Sequence, residues 1–426
     1  MYHNILDSSE ISEAQKDDVY IVSTETFESH MKYLYDNNFK SITPEEMLDF
    51  LYNGRALPAK SIFIQFDDGY YSNIIRAYPV LKKYGFKATI FSNTITSENP
   101  QMPFSPERNV FISKDSMKST SDVFTYASHT HDLHSKHGDY SWLIIESKEE
   151  IVKDLKRSLD IVDNKTAFTY PYGQHSDESI EALKEAGIML AFTTNMGYVT
   201  KNSDPYRLNR FGVYAGTPAG EFRQYVNGRA NYPAKPDPEY IKAVSDELLT
   251  LRNPSPWAEE SVGKAARLKI IPEYMDNQYE RYMTMAEYCA FATKLYEAYL
   301  GEEITARKKF RDTTDVNVEK MAGLGIITGV SDTEFIPNEY LTREQGAVIL
   351  ARLAAAAGKP FPESEPVYKD SRRISPWAVK SVGQVSAAGI MGSVGDDLFE
   401  PKYMYSREQG IVHMVRLFDY LQQPRT

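Results

Sequence analysis

Between Ser61 and Asn73 the chain reads SIFIQFDDGYYSN, and this stretch constrains the fold more than any other. Ile62, Phe63, Ile64, Gln65 and Phe66 predict a buried strand that stops at Asp67-Asp68-Gly69. Two adjacent carboxylates make poor core and are expensive to bury. Gly69 permits a tight turn into the helix-like run that follows. Alone, the pattern reads equally as a strand followed by an Asp-rich turn. In α/β domains, however, the carboxyl end of a strand is where sites are built.

The surrounding chain supplies that α/β context. Phe27, Met31, Leu34 and Tyr35 fall at helical spacing, and Thr43-Pro44-Glu45-Glu46 is a capped helix start. Strands are predicted at 61–66, 88–91, 123–127, 166–170 and 188–193. Helices are predicted after Tyr70, after the Ser147–Glu150 capping box and over 177–186, the last closed by Gly187. Residues 93–120 read as a long loop with one short helix. Such alternation predicts a largely parallel sheet with helices outside it.

Three polar motifs then share one rim. Asp67-Asp68 follows one strand, Ser128-His129-Thr130-His131-Asp132-Leu133-His134 a second, and Tyr170-Pro171-Tyr172-Gly173 a third. Two imidazoles and one carboxylate form a common divalent-metal triad with positions left for water and substrate. Of the paired Asp residues, one can bind metal while the other takes a proton from the water it activates. That is machinery for hydrolysing an amide or ester.

These motifs resemble the polysaccharide deacetylase family, also called NodB-homology or carbohydrate esterase family 4. QFDDGY resembles the family's first motif and YPYG its third. SHTHDLH, with His129 and His134 five apart, and Tyr2-His3 near the start are similar to the subgroup acting on poly-β-1,6-N-acetylglucosamine. The resemblance implies an irregular seven-stranded (β/α) barrel. It also implies Asp68, His129 and His134 as metal ligands, Asp67 as general base, and the Tyr172 amide beside Pro171 as an oxyanion donor. The metal would be Zn2+, ahead of Co2+, Ni2+ or Fe2+. Many members carry a C-terminal His as general acid. Here no His lies between His175 and His413, so His3 is the candidate, as in the subgroup. Tyr170 stands where many members carry an Arg, which leaves the orientation of Asp67 unassigned. Among the neighbours, His131 is read as groove-lining or solvated and Asp132 as a possible orienting partner for a ligand His. His137 and His175 are read as surface residues, Phe211 and Tyr214 as core.

The second half is repetitive. Gly325-Ile326-Ile327-Thr328-Gly329 recurs as Gly389-Ile390-Met391-Gly392, and Thr342-Arg343-Glu344-Gln345 as Ser406-Arg407-Glu408-Gln409, both at an offset of 64. Thr284-Met285-Ala286-Glu287 fills the same place in a degenerate first copy. These units resemble S-layer homology (SLH) repeats, an all-α three-repeat module that binds secondary cell-wall polysaccharide. The resemblance implies that Arg343 and Arg407 present a guanidinium fork to an anionic sugar. The expected domains are 1–227 for the deacetylase, 228–250 for a Gly- and Pro-rich linker, then repeats at 251–308, 309–366 and 367–426.

Composition narrows the partners. A net charge of −11 argues against nucleic acid, the single Cys289 excludes an internal disulfide, and no run of 18 apolar residues exists to span a membrane. Both modules point outside the cell, so an exported, cell-wall-associated protein is expected. Met1 opens directly on Tyr2-His3, and a signal peptide is taken to lie outside the given chain. The expected reaction is metal-dependent removal of N-acetyl groups from an N-acetylglucosamine polymer. The alternatives are an esterase on O-acetylated xylan and a wall-binding protein with an impaired catalytic half.

Overall fold

Five short strands make one parallel sheet, with neighbours in sequence also neighbours in space: β1 (Gln65–Phe66), β2 (Ala88–Ser92), β3 (Phe124–Ser128), β4 (Ala167–Thr169) and β5 (Leu190–Phe192). Gln65 pairs with Thr89, Ser92 with Ser128, Phe168 with Ser128 and Ala167 with Leu190. The computed structural model describes residues 1–230, 237 and 239–424. It divides the chain into two compact units, Met1–Ser245 and Asp246–Thr426. The expected linker 228–250 lies partly outside the described residues.

Against the seven strands the resemblance implies, five make up this sheet among the described residues, and single bridges extend it at each edge. Tyr2 bridges Phe66, and Leu208 bridges Phe192. The chain beyond β5 then returns to the start, with Val213 N–H donating to the Met1 carbonyl at 2.9 Å. Tyr2 N–H in turn donates to Gln65 O at 2.8 Å. The sheet therefore curls, and its two edges meet through residues 208–213 and 1–2. Ile42, Met47, Phe91, Ala127, Ala167, Leu190, Phe192 and Leu208 pack as one buried cluster against it. Strands buried on both faces read as apolar runs, as these do.

Two local expectations are corrected. The stretch 61–66 is two strands, because Ser61–Ile62 pairs with Lys40–Ser41 while Gln65–Phe66 enters the main sheet. Phe63 and Ile64 carry the chain from one partner to the next. The run after Tyr70 opens as a π-turn over Asn73–Ala77 before the α-helix Tyr78–Tyr84. Pro79 has no N–H for a bond to Ile75, which removes one rung of the ordinary ladder there. Elsewhere the caps form as read. Thr43 and Glu46 close a capping box, and Ser147 Oγ accepts from Glu150 N–H at 3.3 Å.

The regular elements of the second unit, among the described residues, are helices. Long helices Met285–Leu300, Arg343–Ala356 and Arg407–Gln422 follow the three motif positions, and each starts at a Thr or Ser cap. Short helices Glu259–Arg267, Val316–Gly323 and Val379–Ala387 complete the pairs. Antiparallel bridges Tyr282 to Ser406, Thr284 to Tyr340 and Thr342 to Met404 link the three motif segments in a ring. Asp312 accepts from the Phe335 and Ile336 amides, and Asp370 accepts from those of Phe399 and Glu400. No helix among the described residues is long and apolar enough to cross a membrane.

Candidate active site and metal centre

The loops leaving β1, β3 and β4 each turn on a non-glycine residue at positive φ: Asp68 at 69°, Thr130 at 74° and Tyr172 at 58°. Such residues cost on the order of 1–3 kcal/mol each and persist only where the surroundings over-determine them. Here the surroundings do so. Gly69 O accepts from Ile112 N–H at 2.9 Å, Thr130 O from Thr94 N–H at 3.1 Å, and Tyr170 O from Gly173 N–H at 2.9 Å. A Cβ on Gly69 would lie 2.8 Å from Ser92 Oγ, so the turn beside Asp68 also needs a glycine for space.

These turns bring Asp68, His129 and His134 together, with one ligand atom from each lying within 4.8 Å of the others. His129 Nε2 is 3.5 Å and His134 Nε2 3.2 Å from Asp68 Oδ1. Bonds of 2.0–2.2 Å to a tetrahedral ion would separate ligand atoms by roughly 3.4 Å, so the set fits a divalent metal. The fit extends to tautomer. His129 Nδ1 lies 2.7 Å from the Thr169 carbonyl and 2.6 Å from its hydroxyl. A carbonyl only accepts, so Nδ1 carries a hydrogen, and Nε2, which bonds Asp68 while it is protonated, is the nitrogen left to hold a metal once that proton is gone. Thr169 thus does for His129 what the sequence suggested of Asp132. Burial pushes the Asp68 carboxyl up, but hydrogen bonds from His129 and His134 outweigh it and hold the group well below the usual range.

Asp67 is 3% exposed and faces the other way, into a bidentate pair with Arg210. Nη1 and Nη2 of Arg210 each donate at 2.8 Å to one carboxylate oxygen, and Nε donates to Thr193 O at 2.8 Å. Burial alone would raise the Asp67 carboxyl. The charges of Arg210 and His129 and the hydrogen bonds of Arg210 lower it below the usual range. The third motif carries no sign of Arg210: Tyr170 stands where many family members have an Arg, and it donates to Tyr206 O at 3.0 Å. A signal existed: Arg210 shares inward parity with buried Leu208 in the returning segment, and an Arg there demands a charged partner.

His3 reaches the same rim because Tyr2 pairs beside β1, with Asp67 N–H donating to Tyr2 O at 3.0 Å. Its ring meets Tyr20 edge-on at 4.6 Å, and its buried Nδ1 has no hydrogen-bond partner. Burial lowers the His3 pKa, and the negative charges of Asp68 and Asp67 oppose that shift without reversing it. On the opposite flank the Tyr172 ring lies 5.0 Å from that of His134, with Lys136 Nζ 4.0 Å above it. Pro171 is buried at the base of this turn.

Other placements differ from expectation. His175 is fully buried, not on the surface, because Nδ1 bonds Gly173 O at 2.9 Å and Nε2 lies 3.1 Å from Asp237. His131 is also buried, with Nδ1 3.0 Å from Thr94 Oγ1. In the second unit Arg343 and Arg407 are 2% and 0% exposed. Arg343 donates to the carbonyls of Phe399 and Gly392 and lies over the Phe399 ring, while Arg407 pairs with Glu287. Glu287 is the acid of the degenerate first motif, so the motif that lacks an Arg receives one from the third.

The polysaccharide deacetylase profile matches residues 54–191, and the S-layer homology domain profile matches 317–347 and 367–409. The poly-beta-1,6-N-acetyl-D-glucosamine N-deacetylase of Staphylococcus epidermidis is 34% identical over 204 residues, spanning 46% of this chain and 68% of that protein. The YxkH protein of Bacillus subtilis (strain 168), whose name places it in the same family, is 30% identical over 229 residues, 53% of this chain and 74% of its own. The structure of Streptococcus pyogenes deacetylase PplD in complex with acetate aligns at 25% identity and a TM-score of 0.46, covering 53% of this chain and 96% of that one. The chain belongs to the polysaccharide deacetylase family, as an enzyme acting on acetylated polysaccharide whose second half carries S-layer homology sequence.

Proposed function

We propose that this protein hydrolyses N-acetyl groups of an N-acetylglucosamine polymer at the rim where Asp67, Asp68, His129, His134 and His3 meet. The observation that carries the reading is the division between adjacent carboxylates: Asp68 turns to two imidazoles and Asp67 to a guanidinium. A divalent ion held by Asp68, His129 and His134, Zn2+ first among the candidates, would supply Lewis-acid activation of water and of the acetyl carbonyl. Asp67, kept ionised by Arg210, accepts the proton of the attacking water. The Tyr172 amide donates to the developing oxyanion. The proton that Asp67 takes from water passes to His3, whose basicity rises as negative charge builds beside it, and His3 delivers it to the departing nitrogen, which restores Asp67 as carboxylate and His3 to its starting state. The choice of an N-acetylglucosamine polymer follows the sequence similarity to the named staphylococcal enzyme.

The repeats are proposed to anchor the enzyme to a secondary cell-wall polymer, outside the cell. With Arg343 and Arg407 buried, they brace the repeats from within, and polymer contacts pass to exposed side chains such as Trp257 and Trp377 at equivalent helix starts. Tethering raises the local concentration of wall substrate. The domain limits 1–227, 251–308, 309–366 and 367–426 are proposed with it.

The test is acetate release from β-1,6-linked N-acetylglucosamine oligomers by the Zn2+- or Co2+-loaded chain, with acetylated xylan alongside. Release from the oligomers that is abolished by Asp67→Asn, with metal still bound, is the expected result. Release from xylan alone would replace the amidase reading with an esterase, and release from neither would refute both.

A further inference from the structure

The loop between the two candidate imidazole ligands is held by a carboxylate that the chemistry above does not use. Residues Ser128 to His134 leave β3, and Thr130 at φ 74° turns the following amides toward one side. Backbone N–H groups that follow a left-handed residue form a small anion-binding concavity. Asp154, on the helix Lys148–Leu159, fills it. Its Oδ1 accepts from His131 N–H at 2.8 Å and its Oδ2 from Asp132 N–H at 2.6 Å, one oxygen to each amide. One helical turn on, Ser158 Oγ lies 2.7 Å from Ser128 Oγ and 3.4 Å from Thr130 O. On the loop's far side, Thr94 and Ile95 N–H groups donate to the Thr130 and His131 carbonyls at 3.1 Å each. Residues 128–132 are therefore gripped from two sides, with His129 inside the grip and His134 two residues beyond it.

We infer that Asp154 is a positioning residue for the metal centre, fixing through the His131 and Asp132 amides the loop that aims both imidazoles at Asp68. The inference rests on the reading of Asp68, His129 and His134 as metal ligands. Its hydrogen bonds go to the His131 and Asp132 amides and not to the three ligand side chains, so its effect is on where the nitrogens point. Two hydrogen bonds from consecutive amides, one to each oxygen, fix the loop in orientation as well as distance. Outer partners of this kind typically carry a 10- to 100-fold effect on metal affinity. An Asn at this position offers one acceptor oxygen for two donors and forces an amide hydrogen toward one of them.

The experiment is a Co2+ titration of the full chain, followed by the visible ligand-field absorption and by calorimetry. The variants are Asp154→Asn, Ser158→Ala and Asp163→Asn. Asp163 also accepts a backbone N–H of β3, that of Tyr126 at 2.7 Å, but at mid-strand and outside the loop, so it controls for general loosening. Expected are a Co2+ affinity weakened about 10- to 100-fold with altered band intensity in Asp154→Asn, and a smaller loss in Ser158→Ala. Asp163→Asn should bind as the parent does. Unchanged affinity and spectrum in Asp154→Asn, or an equal loss in Asp163→Asn, overturns the inference. Should Asp154→Asn fail to fold, parental binding by Ser158→Ala overturns it instead. A parent chain that takes up no Co2+ overturns the metal reading itself, and the inference falls with it.

Discussion

Arg210→Met is the most informative perturbation of the site. Methionine keeps most of the aliphatic stem and deletes the guanidinium. What remains is the Asp67 carboxylate, 3% exposed, with no cation at 2.8 Å, and a Thr193 carbonyl without its Nε donor. Breaking a buried ion pair from one side costs about 3–5 kcal/mol, because the surviving charge stays desolvated. For a unit of this size, with a shift of roughly 2–4 °C per kcal/mol, the melting temperature should fall by on the order of 10 °C. The double variant Asp67→Asn/Arg210→Met removes both charges and should be more stable than Arg210→Met alone by at least about 1 kcal/mol, measured by urea unfolding. Function should move too. Without Arg210 the burial of Asp67 is unopposed by its main counter-charge, so its pKa rises, and the acid limb of acetate release shifts to higher pH. Arg210→Lys keeps a charge but not the fork, and should fall between. If Arg210→Met unfolds within about 0.5 kcal/mol of the parent, or the double variant is no more stable than the single, Asp67 is not held as a buried charge and its role as a poised base is refuted.

Two further outcomes follow from the same unit. His30 is buried, with Nδ1 3.1 Å from Tyr2 Oη and its ring stacked on Phe222 at 3.9 Å, and burial pushes its pKa down to about 4 from 6.5. The unfolded chain then binds the extra proton first, so stability is complete above pH 6.5 and falls by about 3 kcal/mol as pH drops to 4. In His30→Gln that part of the slope should vanish, and an unchanged slope would exclude His30 as its source. Gly173 has φ +77°, and a Cβ there would lie 2.2 Å from Thr194 Oγ1 and 2.9 Å from Thr194 N. Gly173→Ala should therefore displace the Tyr172 amide and lower the turnover number about 100-fold. Gly216→Ala, with open space around it, should leave acetate release unchanged. Equal activity in the two would remove Tyr172 from the reaction.

What the sequence made legible was whatever lies on one strand end. Asp67-Asp68, the two imidazoles five apart and the YPYG turn are each continuous in sequence, and strand alternation alone puts such segments on one rim. Helix caps were equally plain, because Thr43 with Glu46 and Ser147 with Glu150 are local by construction. What stayed hidden was contact across the sheet. Arg210 meets Asp67 across 143 residues, and Thr169 meets His129 across 40. No period or cap encodes such pairs. His175 misled because a polar residue after a turn reads as exposed, whereas two partners let it be buried. Arg343 and Arg407 misled in the same way: a motif shared between repeats shows that a residue is needed, not which side of the helix needs it.

The two halves of the proposed chemistry come from different parts of the sheet, and that separates what can fail. The proposed metal ligands leave β1 and β3, whose backbones are fixed by the parallel ladder through β2. The base's counter-ion and the candidate acid come from the edges, Arg210 from the segment after β5 and His3 from the segment bridging β1. Those edges meet through Val213 N–H to Met1 O, with single bridges in place of a regular ladder. Local opening is cheapest where backbone pairing is sparse. Loosening the seam should then leave a chain that binds metal but handles protons badly, since Asp67 loses its cation and His3 its aim together. Loss of metal with intact proton handling would require damage in the middle of the sheet, where the ladder is densest. Metal affinity and turnover therefore report on different regions of one fold, and a variant that lowers turnover alone points to the seam.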